Sequence, residues 1–230
     1  MPLAVGTVLV VGPLLGVMMG LVIEYFDVQP FIATLAGMFL ARGLCYVISV
    51  DTLPIKDPTL RQFGLNYVYL YEDKFIRWTV VAALAVVLIA VYVLHQTRFG
   101  RTVYAVGGNR QSAQLMGLNA SRARVSVYAI SGLCAAFAGL LLGVQKLSGY
   151  SLNGIGLELD AIAAAVIGGV LLSGGVGFVL GSLIGGVLVL GTIQTFVTAA
   201  NLDSYWTRIM TGVLLLVFVL VQRLLVRKPG

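Results

Sequence analysis

Histidine occurs once in this chain, cysteine twice and acidic residues nine times among 230 positions, and each scarcity removes a class of chemistry. His95 ends an apolar run with no second histidine or acid at ligand spacing, so a zinc site is excluded. No paired carboxylates suited to acid–base work and no Ser/His/Asp set with a credible base are present. A GxxxxGK[ST] phosphate loop is missing, and the GGN tract at 107–109 follows no strand of a βαβ unit. Cys45 and Cys134 both lie in apolar runs, which argues against a disulfide framework and for packing roles. The chain therefore reads as a non-enzyme, with no catalytic residues, no metal and no cofactor.

Hydrophobic residues make up 59% of the chain, charged residues only 10%, and mean hydropathy is +0.99, so most of its solvent is lipid. The 28 glycines fit that class, because small residues let transmembrane helices approach closely. The net charge of +6 does not indicate nucleic acid, since the cations gather in two patches beside apolar runs rather than on one soluble face.

About seven runs are long enough to cross a bilayer core of about 30 Å, covering 3–23, 31–50, 75–95, 125–147, 159–174, 177–199 and 205–222. The fold expected is an all-α, polytopic transmembrane bundle forming one domain over 1–230. Only Ser173, Gly174, Gly175 and Val176 divide the fifth run from the sixth, so a broken helix or half-spans is the alternative there. Residues 96–124 carry Arg98, Arg101, Arg110, Arg122 and Arg124 with no acid, and the C-terminal tail is basic, which puts both in the cytoplasm. The mixed-charge segment 51–74 then lies outside, and so does Met1. Without a basic leader at that end, upstream spans are expected to be absent from this form of the chain.

Gly12, Gly16 and Gly20 share a helix face, as do Gly177, Gly181 and Gly185, with Gly139 and Gly143 continuing the theme. The first face is expected to await helices that this chain lacks. The cluster Gly168, Gly169, Ser173, Gly174 and Gly175 reads either as a tight turn or as backbone lining a water-filled path. Arg42 falls well inside a span, where a cation faces the bundle interior or a cavity unless it snorkels to the interface. Glu158 and Asp160 stand at the start of the fifth run, where acids commonly complement a helix dipole. Arg42, Asp160 and the 168–175 cluster are the candidates for a translocation path.

The stretch YAVGGNRQSAQLMGLNA, 104–120, is a polar excursion of helical pattern between two spans. Asn109 is suited to cap a short helix over 110–116, Gly117 to end it in the left-handed conformation, and Asn119 or Ser121 to cap the next. Such a knob has nothing of its own to bury, so Ala113, Leu115 and Met116 are expected to meet lipid headgroups or, as favoured here, a second protein.

RFGRTVYAVGGNRQSAQLMGLNASRARVSVYAISG, ELDAIAAAVIGGVLLSGGVGFVLGSLIGG and PFIATLAGMFLARGLCYVIS resemble the corresponding segments of monosaccharide-importing ABC permeases of the ribose and galactofuranose type. The resemblance covers essentially the whole chain apart from 51–73. It implies a type II importer arrangement of about ten spans, of which the final seven match. Gly107, Gly108, Asn109, Ala113 and Gly117 would belong to the cytoplasmic coupling helix that docks ABC ATPase subunits. It further implies a second permease subunit, an extracytoplasmic sugar-binding protein, a monosaccharide substrate and a plasma (inner) membrane location. A secondary transporter or channel would place coupling acids within its spans, and here the acids lie in loops or at span ends. A non-transporting assembly subunit is the third class, favoured if the chain lacks its upstream spans.

Overall fold

A computed structural model describes residues 2–55, 57, 58, 60, 62, 67–71, 74–171, 174–201 and 203–226. The helices are α1 (Pro2–Tyr25), α2 (Pro30–Ile48), α3 (Trp78–Gln96), α4 (Arg98–Gly108), α5 (Arg110–Leu115), α6 (Ala120–Lys146), α7 (Leu157–Ile167), α8 (Val179–Ala199) and α9 (Ser204–Val226). A π-helical stretch, Gly185–Leu190, interrupts α8. Among the described residues the short strands are β1 (Leu53–Pro54), β2 (Tyr67–Tyr71), β3 (Lys74–Arg77) and β4 (Ser148–Gly149), paired β1 with β4 and β2 with β3, all antiparallel. Among the described residues six helices are long and apolar enough to cross a membrane: α1, α2, α3, α6, α8 and α9. The expected fifth span is instead the 11-residue α7, which rises about 16 Å and so covers about half of a bilayer core.

The chain forms two compact units. In the first, Met1–Val86 with Gln114–Asn153, α1 packs antiparallel on α6 through its glycines. Gly12 lies against Gly132 and Ala136, Gly16 against the backbone of Tyr128 and Ala129, and a methyl at Gly20 would stand 3.1 Å from Val125 Cα. The glycine face of α1 thus meets α6 of the same chain, not helices that the chain lacks. Bare backbone against bare backbone supplies the contact that apolar side chains cannot drive in lipid. Gly139 and Gly143 do not continue this face: nothing approaches Gly139 within 4 Å, and Gly143 meets only Ile55 Cδ1 at 4.0 Å. Cys45 and Cys134 are free and exposed on α2 and α6, not packed inside as expected.

The ends of these helices are fixed by polar contacts. Where α1 finishes beside the start of α6, Arg124 Nη1 lies 3.2 Å from Glu24 Oε2, and the Ser121 hydroxyl donates to Glu24 Oε1 over 2.6 Å. At the opposite end, Ser151 Oγ donates to Ser49 O over 2.6 Å and Ile55 N to Leu147 O over 2.9 Å. The 49–55 and 147–151 segments therefore share one side of this unit, and Glu24 and Arg124 the other.

In the second unit, Val87–Ala113 with Gly154–Gly230, α7 lies antiparallel to the first half of α8. Gly168 abuts Gly181 and Ser182, and a methyl on Gly185 would come within 2.8 Å of Gly168 N. At the end of α7 the N–H groups of Gly168, Val170 and Gly169 serve the carbonyls of Ala164, Ala165 and Val166. Gln222 of α9 adds a second donor there, its Nε2 donating to Val166 O at 3.1 Å and to Val170 O, just beyond the helix, at 3.3 Å. The C-terminal part of α9 and the end of α7 thereby lie at one end of the unit.

Candidate functional site

The segment expected as a loop over 96–124 is mostly helical. Thr97 caps α4, its hydroxyl oxygen accepting from Gly100 N over 3.3 Å. Asn109 ends α4 and caps α5, Oδ1 accepting from Ser112 N over 3.0 Å. Gly117, at φ +81°, takes the left-handed conformation after α5, with its N–H bonded to Gln114 O. Asn119 then caps α6 by accepting from Arg122 N at 3.2 Å, while Ser121 turns to Glu24. These bonds satisfy backbone groups at both ends of α5, so the segment is a defined short helix rather than a bare linker. Ala113 is 0% exposed, whereas Leu115 is 89% and Met116 68% exposed. The expectation that Ala113 faces an external acceptor is corrected: its methyl is enclosed by this chain, and Leu115 and Met116 form the free knob.

Behind that projection, Gly107 and Gly108 at the end of α4 lie on the turn that follows α7. A methyl at Gly174 would stand 2.7 Å from Gly107 O, and one at Gly175 2.7 Å from Gly108 Cα. Both turn residues have positive φ, +90° and +79°. The turn is closed by Leu171 N donating to Val176 O at 3.1 Å and Gly174 N to Leu171 O at 3.0 Å. The Tyr104 hydroxyl donates to Gly177 O over 2.8 Å, and His95 stacks edge-on to the Tyr104 ring at 6.4 Å between centroids. Residues read as two separate groups, Gly107 and Gly108 for coupling and Gly174 and Gly175 for a path, are therefore one backbone-to-backbone contact. Gly168 packs against α8, and at Gly169, with φ +89°, an added methyl would meet no atom of the described residues within 4 Å. Ser173 lies outside the described residues.

At the other end of the same unit, α7, α8 and α9 surround a cavity of about 890 Å³. Its lining includes Glu158, Asp160, Gln194, Thr198, Asn201 and Arg208. Glu158 has a local task, Oε2 accepting from Gly156 N at 3.1 Å beside the start of α7. Asp160, half-buried, faces the cavity together with Gln194 and Arg208. Gln194 and Arg208 were missed by sequence reasoning, although polar side chains within the 177–199 and 205–222 runs are the available signal. Arg42 is half-buried and lies well inside α2, in the first unit. Among the described residues no group of three or more His, Cys, Asp or Glu could hold a metal ion.

Residues 1–219 match the family described as branched-chain amino acid transport system / permease component. The chain belongs to that permease family. It is similar to the inner membrane ABC transporter permease protein YjfF of Escherichia coli, 43% identical over 222 residues that cover 96% of this chain and 67% of that protein. It is also similar to the fructose import permease protein FruG of Bifidobacterium longum, 40% identical over 228 residues, covering 96% and 67%. The ribose import permease protein RbsC of Bacillus subtilis is 38% identical over 208 residues, covering 89% and 62%. The chain thus spans about two thirds of the length of the curated relatives it matches. No solved structure matches it significantly. With its six apolar helices, this permease is a multi-pass inner-membrane transport protein and not an enzyme.

Proposed function

We propose that the chain is the transmembrane subunit of an ATP-driven, binding-protein-dependent monosaccharide importer and that α5 docks a separate ATPase. The observation that carries the docking is the exposure of Leu115 and Met116 at the end of a short helix capped at both ends, with Ala113 enclosed behind them. A rigid knob passes on a partner's displacement, whereas a flexible one absorbs it. Gly107, Gly108, Asn109, Ala113 and Gly117 act in this reading as the frame that holds the knob. The contact of Gly107 and Gly108 with Gly174 and Gly175 continues the frame to the end of α7. A second permease subunit and an extracytoplasmic sugar-binding protein complete the assembly. The substrate class is supported by relatives that import fructose and ribose.

Residues 96–124 and the C-terminus are cytoplasmic in this reading, and 51–74 is outside. Five arginines without an acid over 96–124 support it, because positive loops are retained inside. So does the placement of the α9 C-terminal part and the α4 end at a common end of the second unit. Arg42, Asp160 and the described glycines of 168–175 remain the path candidates. The test is uptake of labelled ribose, fructose and galactose into proteoliposomes holding the permease, its ATPase and its binding protein. ATP-dependent accumulation of a sugar is expected; accumulation without ATP, or of none of the three, overturns the reading.

A further inference from the structure

The cavity of the second unit carries polar side chains that no protein group answers. Among the described residues the side chains of half-buried Asp160 and of exposed Gln194, Asn201 and Arg208 make no hydrogen bond or ion pair with the protein, and all four line the cavity. Polar groups that are merely structural in a membrane bundle are spent on one another or on backbone, as Gln222 is on Val166 and Val170. Two of the three hydroxyls here are committed in that way: Thr198 Oγ1 donates to Gln194 O and Thr211 Oγ1 to Thr207 O, each over 2.8 Å. What remains uncommitted is one carboxylate, two amides, one guanidinium and the Thr207 hydroxyl.

That set is complementary to a polyol. A carboxylate accepts from two neighbouring hydroxyls, an amide donates and accepts on the same face, and a guanidinium donates to hydroxyl or ring oxygens. The volume of about 890 Å³ falls within the range of about 300–1,000 Å³ typical of small-molecule sites. Thr211 lies seven residues into α9, so the cavity reaches about 10 Å below the end of that helix. It lies beside the start of α7, at the end of the unit opposite to Gly174 and Gly175.

Resting on the import reading above, we propose that this cavity is a sugar-holding subsite of the permease itself, in which Asp160 and Gln194 grip the hydroxyls of a monosaccharide and Arg208 and Asn201 complete the ring of donors. The subsite is weak by construction. A transport path must release what it holds.

The test has two arms. In the first, saturation-transfer NMR measures the purified full chain, without binding protein, against ribose, fructose and galactose at millimolar concentration. The sugar imported by the wild-type complex should receive saturation from the permease, and Asp160→Asn, Gln194→Leu and Arg208→Gln should each cut that signal at least fivefold. In the second, the same variants in the reconstituted complex should lower the maximal uptake rate at least fivefold while still co-purifying with the ATPase. Because the three substitutions sit on three helices, one misfolded variant does not decide the result. If the wild-type complex imports a sugar and the variants bind and carry it as well as wild type, the subsite is overturned and the import reading stands. Failure of the wild-type complex to import any of the three overturns the import reading, and the subsite with it.

Discussion

The Tyr104 hydroxyl is 2.8 Å from the Gly177 carbonyl, tying the middle of α4 to the chain just before α8. One turn further along α4, Gly107 and Gly108 press on Gly174 and Gly175 with no side chain between them. In the proposed coupling, this contact passes a displacement of α4 on to the end of α7. Tyr104→Phe should lose about 1 kcal/mol of that tie, and Gly174→Val should open it altogether, since a methyl would already meet Gly107 O at 2.7 Å at a residue with φ +90°. Uptake should fall moderately in the first and severely in the second, with ATPase binding retained in both. Sugar uptake at the wild-type rate in Gly174→Val would show that the contact transmits nothing.

The α1–α6 seam sets a stability prediction. Gly16→Leu would drive a side chain into the backbone of Tyr128 and Ala129, and overpacking of this kind costs about 1–3 kcal/mol or more. The purified protein should unfold at lower temperature and yield should drop. Gly43→Ala, at a glycine with nothing within 4 Å, should leave both unchanged. Equal thermal transitions for the two variants would remove the seam from the account.

Gln222 is the third case. Gln222→Leu keeps the size of the side chain but strips the donor from Val170 O and the second donor from Val166 O, which keeps its bond from Gly169 N, at a cost of about 1–3 kcal/mol. Hydrogen exchange of the amides at the end of α7 should accelerate, while that of α6 should not change. Unaltered protection over 164–170 would show that water serves those carbonyls equally well.

Much of this was legible in the sequence because lipid imposes simple rules. Runs such as 3–23 and 75–95 have one plausible use, and Asn109, Gly117 and Asn119 advertise caps by residue type, each of which the structure contains. Other features depend on partners distant in sequence. The Glu24–Arg124 pair and the Ser121 bond to Glu24 join residues nearly a hundred positions apart, and nothing local announces them. The half-length of α7 was only an alternative, since an apolar run does not reveal where glycine breaks the helix. Ala113 was misread for a related reason. A small side chain on a polar helix looks exposed until the packing that encloses it is known.

The account depends most on α5 being the ATPase contact. The direct measurement replaces Leu115 with the photo-cross-linker p-benzoylphenylalanine in cells expressing the whole complex, with the same replacement at Tyr150 as the control on the other side. Irradiation should join the Leu115 variant to the ATPase polypeptide and leave the Tyr150 variant free of that adduct. No ATPase adduct from Leu115 in a complex shown by co-purification to be assembled, or an equal adduct from Tyr150, would contradict it.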